Sequence, residues 1–261
     1  MQNHDEPKYH AAALSFLDNF FTVYIFANFI NTLIQFSAGR IKRMNLIDLS
    51  NKLFIFLREN GIKFNEEGFP LFTEKMMLKG IPEQILPLGH TSHVSSKERV
   101  LLVAFCNDEY IYKRLFTLEK DIPFYKQFMG FGGFDLSPRI NWDLKLQKFN
   151  LLLNMMATVY LAIHGVKILP NFRTGCSDTI TLLKCYPPNC WFIAGTIGCS
   201  RGHIKISSMY LRTKLLIANP DRLIIYGILK KEYQTILEEY GIAYQIFIDY
   251  QRVSRRKEVL K

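Results

Sequence analysis

One stretch constrains the fold of this chain more than any other: Gly130 to Gly198, where strand, helix, strand and strand patterns follow one another, each strand ending in polar residues. Gly130-Phe-Gly-Gly-Phe-Asp-Leu-Ser137 is a short apolar run closing on polar atoms, and Trp142 to His164 is a long apolar helix stopped by Gly165. Val166-Lys-Ile-Leu-Pro170 follows as a second strand, Asn171-Phe-Arg-Thr-Gly175 as its polar exit, and Trp191 to Gly198 as a third. A strand, a crossover helix and a strand make a βαβ unit, which requires a parallel sheet.

The same alternation runs from Val100 to Ile248. Val100-Leu-Leu-Val-Ala-Phe105 is an unbroken apolar run, the mark of a strand covered on both faces. Arg222 to Tyr226 and Ala243 to Ile248 repeat the signal, separated by helical patterns over 110–119, 209–218 and 230–240. The expected fold is α/β: a mostly parallel sheet of about six strands with crossover helices, three-layered or an incomplete barrel, plus an N-terminal apolar helix. Residues 1–43 form an apolar extension, 44–99 a helical and loop-rich lead-in, 100–250 the α/β core and 251–261 a basic tail.

Phe20 to Ala38 holds no charged residue and is followed by Arg40-Ile-Lys-Arg43, so it has about the length and flank of a bilayer span. Asn28, Asn31 and Gln35 argue instead for a helix packed on protein, since each amide needs a partner in hydrocarbon. Met44 opens a fresh helical pattern, Asn45 to Asn60, and a start there would leave residues 1–43 outside the folded domain. Five cysteines, an odd number without a secretory signal, point to free thiols in a cytoplasmic setting.

Ligands of parallel α/β sheets bind beyond the carboxyl ends of the strands. Those ends carry Asn107 and Asp108, Asp135 and Ser137, Asn171, Arg173 and Asp178, Thr196, Gly198 and Arg201, then Gly227 and Asp249. Asp108, Asp135 and Asp178 are the candidate acid/base or metal-holding groups. Ser137, Asn171, Arg173, Thr196, Gly198 and Arg201 are the candidate substrate- or phosphate-binding set. The competing reading makes the same residues helix caps and turn formers. A divalent cation is the one cofactor these carboxylates suggest; the cysteines lack the CxxC pairs of a zinc site, and no GxSxG or P-loop is present.

The formal charge is +10, and much of it falls in the last sixty residues. Lys205, Arg212, Lys214, Lys230, Lys231, Arg252, Arg255 and Arg256 interleave with Tyr210, Tyr226, Tyr233 and Tyr244, the pairing of phosphate neutralisers and stacking rings that nucleic-acid binders use. A solvated surface over core tyrosines is the alternative. The expected partner is therefore nucleic acid or a nucleic-acid-handling protein, with a phosphoester- or nucleotide-directed enzyme and an inhibitor or recruiter of a host protein as rivals.

Phe105-Cys-Asn-Asp-Glu-Tyr110, Gly133-Phe-Asp-Leu-Ser137, Gly165 to Gly175, Ala194-Gly-Thr-Ile-Gly-Cys199 and Leu223-Ile-Ile-Tyr-Gly227 share an order and spacing. In these the chain resembles an uncharacterised family of phage- and plasmid-borne bacterial proteins, a domain of unknown function, over about residues 68–227. The resemblance implies a mobile-element origin and a cytoplasmic setting, and no reaction. The family's central helix carries an Asn- and Arg-rich stretch where this chain has Leu153-Asn-Met-Met-Ala157, so no role for those arginines carries over.

Overall fold

The computed structural model describes residues 46–91, 94–195, 207–250 and 252. The expected N-terminal apolar helix and membrane contact of residues 20–38 lie outside the described residues. Among the described residues no helix is long and apolar enough to cross a membrane.

Among the described residues the chain is α/β, with six parallel strands in two sheets of three. Strand β1 (Gln84–Pro87), β2 (Val100–Val103) and β3 (Gly130–Phe131) form the first sheet in that order. Strand β4 (Trp191–Gly195), β5 (Arg222–Tyr226) and β6 (Ala243–Phe247) form the second, with Trp191 opposite Arg222 and Arg222 opposite Ala243. Central strand β2 is buried at all four residues, as a strand flanked on both sides and both faces must be.

Helix α1 (Leu46–Glu59) packs on α4 (Leu144–Ile163), and α2 (Asp108–Phe116) and α3 (Leu118–Tyr125) fill the β2-to-β3 crossover. Helix α5 (Ser208–Ala218) precedes β5 and α6 (Lys231–Glu239) precedes β6. Asn107 caps α2 by accepting the Tyr110 N–H at 3.1 Å, and Asp143 caps α4 by accepting the Lys145 N–H at 2.8 Å. Helix α4 is apolar on nearly every side and accordingly buried along most of its length.

Two expected features change. The loop-rich lead-in contains β1, short and bounded by prolines, whose alternation is too brief to stand out. Conversely, Val166–Pro170 is not a ladder strand. Lys167 and Leu169 bond to Phe131 of β3, Ile168 bonds to Met76 and Leu78, and Pro170 and Phe172 bond to Ile193 of β4. Each neighbour receives one bridge only, and Pro170, having no N–H, cannot extend any of them. The segment nevertheless joins the sheets edge to edge, through bonds of 2.7–3.0 Å to Phe131 and Ile193.

The larger core lies between the sheets and the helices. A second cluster gathers Ile85, Leu101, Val103, Leu169, Ile193, Ile224 and Tyr226, residues of both sheets on the face away from α4. Gly195 belongs to this side: a Cβ there would lie about 3.1 Å from the Phe105 ring, so a larger residue would have to push that ring aside by a few tenths of an ångström.

Candidate functional site

Chain leaving β3 runs extended through Phe134 to Ser137, and a row of α4 side chains holds its backbone in place of a neighbouring strand. Phe134 N–H donates to Thr158 Oγ1 at 3.1 Å; Leu136 N–H donates to Asn154 Oδ1 at 2.9 Å and its carbonyl accepts from Asn154 Nδ2 at 3.0 Å. Asn150 Nδ2 donates to the Ser137 carbonyl at 2.9 Å, and Gln147 Oε1 accepts the Cys176 N–H at 2.7 Å. Gln147, Asn150, Asn154 and Thr158 recur at helical spacing on one face. That polar stripe was the available signal, and an apolar-helix reading passes over it.

With Phe134 and Leu136 turned into the core, Asp135 points the other way. It is 7% exposed, and its Oδ2 lies 3.4 Å from Arg173 Nη1, a side chain about a third exposed. Among the described residues its Oδ1 has no partner in hydrogen-bond geometry, and neither has Asn171 Nδ2. Burial pushes the Asp135 carboxyl up to about 6; the Arg173 charge opposes this, the Asp108 charge adds to it, and the nearby Asn171 amide lowers it. The amide thus lies close enough to be felt, without hydrogen-bond geometry.

Asp108, in the first turn of α2, accepts the N–H and the hydroxyl of Ser137, both at 3.1 Å. Half-buried Cys106 sits beside the two aspartates, and burial followed by their charges pushes its thiol up to about 12, so it is a neutral thiol and no nucleophile. The structure therefore brings together Asp108, Asp135, Ser137, Asn171 and Arg173 from the ends of β2, β3 and the 166–172 segment.

Other candidates fall elsewhere. Asp178 is exposed in the first turn of a 3-10 helix, Ser177–Cys185, with Ser177 as its hydrogen-bond partner at 3.2 Å. No group of three metal-ligating side chains gathers among the described residues, so Asp108, Asp135 and Asp178 do not meet around one cation. Asp178 sits where an acidic residue suits a helix start. Thr196, Gly198, Arg201, Lys205, Arg255 and Arg256 lie outside the described residues.

No family model, curated protein or solved structure matches the chain. The site is therefore read from its own chemistry.

The expected basic face is thinner than the sequence implies. Lys214 is buried, not solvated: its Nζ donates to the Phe172 carbonyl at 2.6 Å and lies 4.2 Å from the Phe172 ring centroid. The carbonyl and the aromatic face offset part of the hydration that the buried ammonium gives up. Arg212 pairs with Glu239 at 2.5 Å and covers Tyr240. Tyr226 is buried, and Tyr210 donates to the Gly175 carbonyl and bonds Thr174, so neither is an open stacking platform. Lys230 and Lys231 are exposed at the start of α6, and Arg252 reaches back to Asp249 at 3.3 Å.

A small pocket of about 30 Å³, room for about two waters, lies beside the site. Asn171 and Arg173 line it together with Asn154, Thr158 and Tyr186, so it opens on the α4 side of the residues that meet Asp135.

Proposed function

We propose that this chain is an acid–base enzyme for a small anionic substrate of the phosphoester or nucleotide class, with its site at the ends of β2, β3 and the 166–172 segment. Arg173 holds the anionic group, Asp135 exchanges the proton, and Asp108 fixes Ser137 at the rim. In this reading the strands surround the mouth of an incompletely closed barrel, and the substrate enters over Arg173.

One observation carries the reading: a buried carboxylate with one oxygen lacking hydrogen-bond geometry to any described residue and the other 3.4 Å from a part-exposed guanidinium. A purely structural ion pair of such burial is retained only when further hydrogen bonds satisfy its remaining lone pairs. A carboxyl near 6 is also placed to both give and take a proton near neutral pH.

Screening phosphomonoesters and nucleotides for turnover tests it. Wild-type turnover rises with pH through about 6 if Asp135 is the base, and Asp135→Asn with Arg173→Gln lowers it at least about 100-fold. A double variant that keeps wild-type turnover removes the proposal.

A second reading, nucleic-acid binding through the carboxyl-terminal third, is supported by the exposed Lys230 and Lys231. The resemblance to mobile-element proteins suits that setting. It ranks second because Lys214 and Arg212 are engaged within the fold.

A further inference from the structure

The end of the strands opposite the proposed site carries a cluster of lysines. Lys79 leads into β1, Lys97 into β2 and Lys126 into β3, and Lys167 opens the 166–172 segment, so the parallel order brings all four to one end. Lys167 Nζ donates to the Lys75 carbonyl at 2.7 Å, which adds a fifth, and Lys97 Nζ donates to Gln127 Oε1 at 2.8 Å. Neighbouring strands lie about 4.8 Å apart, so these charges repel one another within a Debye length of about 8 Å. Among the described residues none of the five forms an ion pair, whereas Arg99 beside them takes Glu83 at 2.8 Å. Glu74 and Glu98 are the other carboxylates in these stretches, which leaves the end positive. The two ammoniums that are held are held by neutral acceptors, which orders the charge without cancelling it.

Lysine is a hydrated point charge on a flexible stem, suited to a diffuse anionic surface more than to the forked recognition of single phosphates or bases that arginine performs. Phe128, beside Lys97, is buried, and Trp191, at the start of β4, carries Arg222 over its face at 4.8 Å, so neither offers a ring to a base. The side chain turned outward here is aliphatic: Ile81, two residues after Lys79, is 45% exposed. Lysines around an exposed isoleucine match an anionic lipid surface, with ammoniums at the headgroups and the isoleucine at the acyl boundary. We infer that this end of the strands is a peripheral contact surface for anionic phospholipid bilayers, formed by Lys75, Lys79, Lys97, Lys126, Lys167 and Ile81. The carboxyl ends of the strands then face away from the bilayer.

Co-sedimentation of the full chain with phosphatidylcholine vesicles, with and without added phosphatidylserine, tests it. The chain is expected to bind the phosphatidylserine vesicles, less so as salt rises, and to leave the neutral ones. Lys75→Gln, Lys79→Gln and Lys126→Gln together lower the affinity about 100-fold, at about 5-fold for each lysine. Ile81→Gln lowers it about 3- to 10-fold and leaves the remainder salt-sensitive. Lys145→Gln, Lys230→Gln and Lys231→Gln remove the same charge at helix starts beyond the carboxyl ends of the strands, and are expected to stay within about 2-fold. Absence of binding, equal binding to neutral vesicles, or an equal loss in the two triple variants overturns the proposal. So does binding of labelled DNA or RNA that needs Lys75, Lys79 and Lys126 while vesicles are ignored, which assigns the surface to a nucleic-acid backbone.

Discussion

Asp135 is the residue on which the proposed chemistry turns, and its burial has a thermodynamic signature. The folded carboxyl, raised from 3.8 to about 6, holds its proton more tightly than the unfolded one, so the native state carries more protons between those values. Stability therefore falls as pH rises from about 4 to about 6, on the order of 2–3 kcal/mol in all. Asp135→Asn, which cannot ionise, is expected to flatten that slope and to be the more stable protein at pH 7.5, as replacements of strained site residues often are. Urea denaturation at pH 4, 5, 6 and 7.5 measures both, and parallel wild-type and variant curves would count against the assignment. Asp108, Asp135, Ser137, Asn171 and Arg173 stood out in the sequence because each follows an apolar extended run, where the chain must turn and polar atoms are permitted. Asp178 follows the same rule and is a helix-start residue. Strand-end position alone does not tell the two apart.

At the scale of elements, α4 does the work of a missing strand. Its Asn154 satisfies both the N–H and the carbonyl of Leu136, and Thr158 and Asn150 serve Phe134 and Ser137. Asn154→Leu, similar in size but without the amide, leaves two buried backbone groups orphaned, for a loss of about 2–5 kcal/mol. Exposed Thr235→Val on α6 is the control, expected to stay within about 0.5 kcal/mol. Equal midpoints for the two variants in urea would show that the ladder contributes nothing. This element was the least legible part of the site: a stripe of amides in an apolar helix is easily read as interruption. The reason it exists is tertiary, since the 134–137 segment leaves its sheet and still needs partners for buried backbone groups. The same logic separates the expected single sheet from the two observed: periodicity marks Val166–Pro170 as extended, but only coordinates show three different neighbours sharing it.

For the whole molecule, the net charge of +10 overstates what the carboxyl-terminal third offers a polyanion. Lys214 lies inside and Arg212 is paired, leaving Lys230, Lys231 and Arg252 as the exposed cations among those read as nucleic-acid contacts and described here. Three phosphates neutralised would give a slope of log affinity against log salt near about −2 to −3. Binding to labelled single- and double-stranded DNA and RNA across a salt series measures it. Absence of salt-sensitive binding ends the second reading, and a slope several times steeper would promote it above the enzyme.

Lys214 also ties distant parts of the chain together. Its ammonium holds the carbonyl one position before Arg173, so a helix that begins thirty-five residues downstream of Arg173 anchors the backbone from which that side chain springs. In the proposed site, a displacement of α5 would shift the backbone that carries Arg173 and so change its reach toward Asp135.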